Sequence, residues 1–281
     1  MENIKTLIRA ALKEDNAWRD VTSRATIPEK KFVTADLVAK KEGVVCGVEI
    51  VKETFKMIDT KCCTKACVAD GKKVKKGAVI AKIAGPAKAI LAGERTALNF
   101  IQHLSGIATL TRKFADRAKG TGTKIFDTRK TIPGLRGLEK YAVRCGGGYN
   151  HRMDLAEMAL VKDNHISAVK DITSAVAKIR KYKPSVRIEV ECDTLKQVAE
   201  ALAAGADIIM LDNMPPAIIR KGVKIIRNSK NSRSKPQIEI SGGVNINTVA
   251  RFARLGADRI SVGALTHSAP ALDISLDIKN R

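Results

Sequence analysis

Between residues 124 and 262, short apolar runs alternate with amphipathic stretches of helical length, and this alternation limits the fold more than any other feature. The runs cover 124–127, 158–162, 187–191, 207–211, 237–241 and 259–262; stretches such as 195–204 and 246–255 lie between them. A strand followed by a helix and another strand favours parallel neighbours joined by right-handed crossovers. Six such units are too few for an eight-stranded barrel and enough for a smaller or incomplete one. The fragments AGADIIMLDN and LGADRISVGA each return from a helix through a glycine to a strand, as two turns of one architecture. Aromatic residues make up only 4%, so the core must be built from Ile, Val, Leu and Ala, which suits buried parallel strands.

The first third reads differently. An amphipathic helix opens the chain, 32–39 is strand-like, and a helix is expected over 48–58. Asp70-Gly71 and Lys76-Gly77 punctuate short alternating segments, which predicts tight antiparallel hairpins. A long helix is expected over 87–119, bending near Ser105-Gly106, where glycine weakens it. The expected division is an N-terminal α+β domain with long connecting helices over 1–120, an α/β catalytic domain over 121–270, and a segment 271–281 returning to the first. No stretch approaches bilayer-spanning length, and the acids in MENIKTLIRAALKED do not suit a signal peptide, so a cytoplasmic location is expected. Of the six cysteines, Cys63 and Cys67 could share a metal, but no second pair matches them; free thiols are the expected state.

Chemistry in such a fold lies where strands end and loops begin. After the first run come Arg129 and Lys130; Lys162 ends the second. Glu191 closes the third, Asp212 follows the fourth, Ser241-Gly242-Gly243 the fifth, and Gly263 with His267 the sixth. Each has a bland reading as helix cap, turn or solvated charge. Coincidence at six successive strand ends is a much poorer explanation. The glycine turns predict a phosphate cradle, with Ser241-Gly242-Gly243 expected to open a helix N-terminus. Glu191 and Asp212 suit a magnesium ion shared with a diphosphate, although acid–base work or charge balance would use the same residues. Asn150-His151-Arg152 adds cationic donors, and a mouth this positive needs a substrate with several carboxylates or phosphates.

Lys and Arg number 51 against 29 Asp and Glu, a formal charge of +22. Such an excess favours polyanionic partners, and a nucleic-acid-binding protein is the reading from a different class. The lysine clusters 72–76 and 178–183 are not interleaved with base-stacking aromatics, so a solvated basic surface is preferred.

The motifs GERTALNFIQHLSGIAT, DTRKTIPGLRGLEKYAVRCGGGYNHR, ALVKDNHI, IEVECDT, ADIIMLDNM, IEISGGVN and ISVGALTHS, in this order, resemble quinolinate phosphoribosyltransferase, also called nicotinate-nucleotide pyrophosphorylase (carboxylating). They run from Glu94 nearly to the end; EDNAWRDVTSRATIP matches the N-terminal region more loosely, with Arg19 where many relatives carry glycine. The resemblance implies an α/β fold: an incomplete, six- or seven-stranded TIM-like barrel with a smaller N-terminal α+β open-sandwich domain. It implies conversion of quinolinate and phosphoribosyl pyrophosphate to nicotinate mononucleotide, pyrophosphate and carbon dioxide, in de novo NAD biosynthesis. It further implies Mg2+ with the phosphoribosyl donor, no organic cofactor, and a homodimer or assembly of dimers with shared sites; no nucleic acid or membrane is required. By motif, Arg95 would enter the partner's site, and Arg129, His151, Arg152 and Lys162 would hold the quinolinate carboxylates. Lys130, Glu191 and Asp212 would serve the pyrophosphate and its metal, with Lys130, Lys162, Glu191 and Asp212 as the catalytic set. Ser241, Gly242, Gly243, Gly263 and His267 would complete the phosphoribosyl pyrophosphate site with Lys130. A related transferase of the same fold with another acceptor, such as nicotinate or a molybdenum-linked substrate, is the nearest alternative; the His151-Arg152 pair next to Lys162 favours the diacid.

Overall fold

The structure is a computed structural model that describes residues 2–229 and 235–279. The chain divides into two units, Met1–Arg112 with Ile132–Gly147 and Ser268–Arg281, and Lys113–Thr131 with Gly148–His267. In chain order the elements are α1 (Glu2–Glu14), α2 (Val21–Thr26), β1 (Phe32–Ala39), β2 (Gly43–Val44), α3 (Val48–Ile58), β3 (Cys63–Ala66), β4 (Lys73–Val74), β5 (Val79–Pro86) and α4 (Ala87–Ala118). There follow β6 (Lys124–Phe126), α5 (Arg136–Cys145), β7 (Ala159–Val161), α6 (Asp163–Val169), α7 (Ile172–Tyr182), β8 (Ile188–Cys192), α8 (Leu195–Ala203) and β9 (Ile208–Asp212). The last are α9 (Pro216–Asn228), β10 (Gln237–Ser241), α10 (Val249–Ala253), β11 (Arg259–Ser261), α11 (Ala264–His267) and β12 (Ile274–Lys279). No helix among the described residues is long and apolar enough to cross a membrane.

In the first unit, β1 alternates buried Ala35, Leu37 and Ala39 with more exposed positions, the period of a strand with one face on the core. It lies in an antiparallel sheet of order β12-β1-β5-β3. Val51 and Phe55 of α3 and Ile90, Ala97 and Ile101 of α4 join the same buried cluster. Asp20 caps α2, accepting from Thr22 N at 3.0 Å and Ser23 N at 3.3 Å.

One local expectation differs from the structure. The glycine-punctuated segments are antiparallel strands but not hairpins: β4 pairs with β2, while β5 pairs with β1 and β3. Short-range turn residues announce a reversal but do not choose the partner strand. At Ser105-Gly106, α4 continues as one helix of 32 residues. Glycine serves close approach there. A Cβ on Gly106 would lie 2.3 Å from the Pro270 carbonyl oxygen. Beside it, the Ser105 hydroxyl accepts from Cys46 N at 2.9 Å and donates to Cys46 O at 3.2 Å.

The second unit is a six-stranded parallel sheet of order β6-β11-β10-β9-β8-β7. A single parallel bridge, Phe126 to Tyr149, stands beside β6 in place of a full seventh strand. The expected strand–helix alternation is present, and Ile188, Val190, Ile208, Ile209, Ile238, Ile240 and Ile260 are buried. The repeated Gly-Ala-Asp fragments are equivalent in detail. Asp207 accepts from Ile188 N at 2.6 Å and pairs with Arg180 at 2.6 Å; Asp258 accepts from Ile238 N at 2.6 Å and pairs with Arg227 at 2.8 Å. Each aspartate thus joins the start of its own strand to the start of the neighbour and to the helix that precedes that neighbour.

Gly106→Ala is expected to destabilise the protein by about 1–3 kcal/mol, because the new methyl meets backbone that side-chain rotation cannot move. Urea denaturation midpoints measure this, and stability equal to the parent would contradict the packing described.

Candidate active site

Side chains two apart on a strand share a face. In the second unit this brings Leu160 and Lys162, Glu189 and Glu191, Met210 and Asp212, Glu239 and Ser241, and Ser261 and Gly263 onto common faces. Except for the fully buried Glu189, these residues line a cavity of about 700 Å³, set at the carboxyl ends of the strands. Parallel register places Ser241 opposite Asp212, and Met210 opposite both Glu191 and Glu239.

The loop after β6 supplies the first cations. Lys130 N donates to Thr128 Oγ1 at 3.0 Å, and Thr266 Oγ1 donates to the Lys130 carbonyl at 2.7 Å, which ties this loop to α11. Asp127 is buried and accepts from His151 N at 2.8 Å and Asn150 Nδ2 at 2.5 Å. That brace delivers His151 and Arg152 to the same cavity as Arg129 and Lys130. The Nε of Arg129 is buried and has no hydrogen-bond partner among the described residues. Burial disfavours the charged form of Arg152, and the neighbouring Arg129 guanidinium adds to this, so its pKa is lowered. Two adjacent guanidiniums, one with an unmatched donor, make a site for an anion.

Lys162 stands at the start of α6, its backbone N donating to His165 Nδ1 at 3.1 Å. Glu191 is the penultimate residue of β8, and Asp212 is the last of β9. Burial, then Asp212, raises the Glu191 pKa, and Lys162 opposes the shift.

Ser241, Gly242 and Gly243 line the cavity, and the next helix, five residues long, begins at Val249. The left-handed backbone of Gly242 (φ 82°) and Gly243 (φ 64°) forms the turn before it. A Cβ on Gly242 would fall 2.1 Å from Asn213 Oδ1. Gly263 has the other use of glycine: a Cβ there would lie 3.1 Å from His267 Nε2 and 3.2 Å from Lys130 Cδ. Every site residue expected from the sequence therefore borders this cavity except Arg95. Arg95 is exposed in the first unit, beside a cavity of about 410 Å³ that also has Glu14, Asp15 and His103 in its wall.

The cavity floor holds residues to which strand-end reading gave no role: Glu189, noted on its strand, and Glu239 and Arg259, not noted. His151 Nε2 lies 3.0 Å from Glu189 Oε2 and 3.6 Å from Glu239 Oε1, while its Nδ1 accepts from Arg152 N at 2.7 Å. Glu239 also faces Arg259, Oε2 to Nη1 at 3.4 Å, and that guanidinium lies over the Phe126 ring at 4.6 Å. Burial pushes Glu189 up to about 7, against the pull of Arg259. Burial and then Glu189 push Glu239 up to about 8. The available signal was a glutamate at the centre of an otherwise apolar strand, Ile238-Glu239-Ile240, where an acid is never left to bulk solvent.

A carboxyl raised above its unfolded value holds a proton in the folded state that the unfolded chain has released. Its stabilisation is complete below the ordinary glutamate pKa of 4.5 and is lost as pH rises to about 8. Glu239→Gln is therefore expected to flatten the fall in stability between about pH 5.5 and 8.5. Denaturant midpoints at the two pH values check this; an unchanged difference between them would rule it out.

Comparison with known proteins agrees with this geometry. The family model described as quinolinate phosphoribosyl transferase, C-terminal domain, matches residues 107–277, and the corresponding N-terminal domain matches residues 20–105. The probable nicotinate-nucleotide pyrophosphorylase [carboxylating] of Bacillus subtilis is 45% identical over 276 residues, 98% of this chain and 93% of that one. The Mycobacterium leprae nicotinate-nucleotide pyrophosphorylase [carboxylating] is 40% identical, covering 96% of this chain and 95% of its own. Among solved structures, NadC from Streptococcus pyogenes superposes with a TM-score of 0.92 at 39% identity, over 98% of this chain and 96% of the other. The nicotinate-nucleotide pyrophosphorylase of Francisella tularensis gives a TM-score of 0.92 at 39% identity, over 99% and 96%. The chain belongs to the quinolinate phosphoribosyltransferase family.

Proposed function

We propose that the protein transfers the phosphoribosyl group of phosphoribosyl pyrophosphate to quinolinate, with loss of carbon dioxide, forming nicotinate mononucleotide for de novo NAD synthesis. The observation that carries this reading is the Arg129–Arg152 pair, two guanidiniums bordering one cavity, with the Nε of Arg129 buried and unmatched among the described residues. A planar diacid satisfies both, and a lone monocarboxylate leaves one repelled. Arg129, Arg152 and Lys162 would hold the two carboxylates, with His151 completing the wall on that side. Opposite them, the backbone of Ser241, Gly242, Gly243 and Gly263 would receive the 5′-phosphate, with His267 beside it.

The pyridine nitrogen attacks the anomeric carbon as its bond to the pyrophosphate oxygen breaks, and the leaving group takes the electron pair. Lys130 would offset the negative charge that grows on the leaving group. Glu191 and Asp212 suit a divalent cation, since burial and mutual repulsion disfavour the anionic form of Glu191 until a cation lies between them. They would hold the magnesium of a magnesium–phosphoribosyl pyrophosphate substrate, whose charge neutralises pyrophosphate oxygens. Once the ring nitrogen is quaternary, the adjacent carboxylate leaves as carbon dioxide; the electron pair stays on the ring carbon and takes a proton. The chemistry requires no organic cofactor.

The same reading includes a homodimer or assembly of dimers, a cytoplasmic location, and the functional division 1–120, 121–270 and 271–281. It assigns Arg95 to the partner subunit's cavity, where it would meet quinolinate.

Purified protein given quinolinate, phosphoribosyl pyrophosphate and magnesium is expected to release nicotinate mononucleotide and carbon dioxide, and not to use nicotinate in its place. Absence of both products across pH and metal concentrations would end the proposal. Arg129→Ala and Lys162→Ala are each expected to lower kcat/KM by about 10²–10³ with the circular dichroism spectrum kept. Mixed dimers of Arg95→Ala and Lys162→Ala subunits are expected to regain activity through one intact composite site; verified heterodimers without activity would argue against a shared site.

A further inference from the structure

A second group of reactive side chains lies in the first unit and takes no part in the cavity described above. Cys46 sits between β2 and α3, fully buried, its backbone held on both sides by the Ser105 hydroxyl of α4. Cys145 is the last residue of α5 and is half-buried. The two sulfurs and a carboxylate oxygen of Asp70 all lie within 4.8 Å of one another. Asp70 is already engaged: it accepts from Gly47 N at 3.0 Å and Val48 N at 3.2 Å at the start of α3, and from Tyr141 Oη at 2.9 Å. Those bonds account for both of its oxygens, which speaks against a metal as the purpose of the group and leaves two adjacent thiols.

The thiols are not equivalent. A hydrogen bond from Cys46, with Tyr141 and Arg144 assisting against burial and the Asp70 charge, lowers Cys145 to about 7. The same contact and burial push Cys46 strongly upward. The structure thus sets a partly exposed thiol of lowered pKa beside a buried one of raised pKa. A low-pKa, accessible cysteine with a neighbouring resolving cysteine is the arrangement that reacts with disulfides. Cys62 and Cys192 are buried with raised pKa values, about 11 and about 12.

We propose that Cys145 and Cys46 form a thiol-modification site that reacts with low-molecular-weight disulfides of the glutathione type and closes into an intramolecular disulfide. The Cys145 thiolate attacks one sulfur of oxidised glutathione, the S–S bond breaks, and one glutathione leaves as thiolate with the electron pair. Cys46 then gives up its proton to solvent and attacks the Cys145 sulfur of the mixed disulfide, expelling the second glutathione. Two protein thiols are oxidised and one small disulfide is reduced to two thiols. The protein sulfurs need only close from within 4.8 Å to a bond of about 2.05 Å. The site stands independently of the phosphoribosyl transfer proposed above.

The test uses the full chain with the exposed Cys63 and Cys67 replaced by serine, titrated with oxidised glutathione and read by intact mass and non-reducing peptide mapping. Loss of two hydrogens and a linked Cys46–Cys145 peptide are expected. Adding Cys46→Ser should stop the reaction at one glutathione on Cys145, and adding Cys145→Ser should leave Cys46 unmodified. Cys145 remaining reduced in the folded protein, or a stable glutathione adduct that Cys46 never resolves, would overturn the proposal. A second measurement needs no substitution at either cysteine: alkylation of Cys145 against pH should reach half its maximal rate near 7. A midpoint at the ordinary thiol value would equally overturn it, and Tyr141→Phe should move that midpoint upward.

Discussion

The site depends on opposite charge buried beneath a positive cavity. Arg129, Lys130, His151, Arg152 and Lys162 border one space of about 700 Å³, and an empty space so bordered repels itself. Glu189 and Glu239 lie below it, out of contact with water, against His151 and Arg259. They are close enough to make the cationic wall tolerable. Their own burial favours the protonated form, so the negative charge they return is limited. The cavity keeps a surplus of positive charge for an incoming anion without a structure that flies apart when none is there.

Much of this was legible in the sequence because parallel strands impose a strict grammar. A strand buried on both faces reads as an apolar run, and its end is marked by the first polar residue, so Asp212 and Ser241 could be placed without coordinates. Glu239 could not be placed that way, because it is one position further inward on the same face as Ser241 and belongs to the floor. The role of Asn213 was also out of reach, although its place at a strand end was not: its side chain fills the space beside Gly242, a contact between loops of successive strands. The glycine pair was read as a turn that precedes a helix, and a turn followed by α10 is what stands there. A Gly-Gly dipeptide reports its own backbone, and nothing in it counts the five residues before α10 begins. In the first unit the strand positions followed from alternation, whereas the partners of β4 and β5 are long-range choices that no local pattern encodes.

The repeated Asp207 and Asp258 braces explain why the strand ends line up. Each carboxylate takes the first amide of the neighbouring strand and an arginine of the helix before it. This sets where successive strands start relative to one another. Strand starts held in step put strand ends in step, and the ends carry Glu191, Asp212 and Ser241. A pair of ion pairs on the amino-terminal side of the sheet thereby governs alignment at its functional edge. Their contribution is one of register, since partly exposed ion pairs add little to stability.

The pairing of β12 with β1 bears on how the chain is made. Thr34 is matched with Lys279 and Ala39 with Ile274, partners more than two hundred residues apart. While the ribosome is still extending the chain, β1 has β5 on one side and an open row of amides and carbonyls on the other. The intervening parallel sheet can be completed in the meantime, but the antiparallel sheet receives β12 only after residues 124–267 have been made. A nascent chain therefore carries a vacant strand edge on β1 from the time that strand emerges until β12 does.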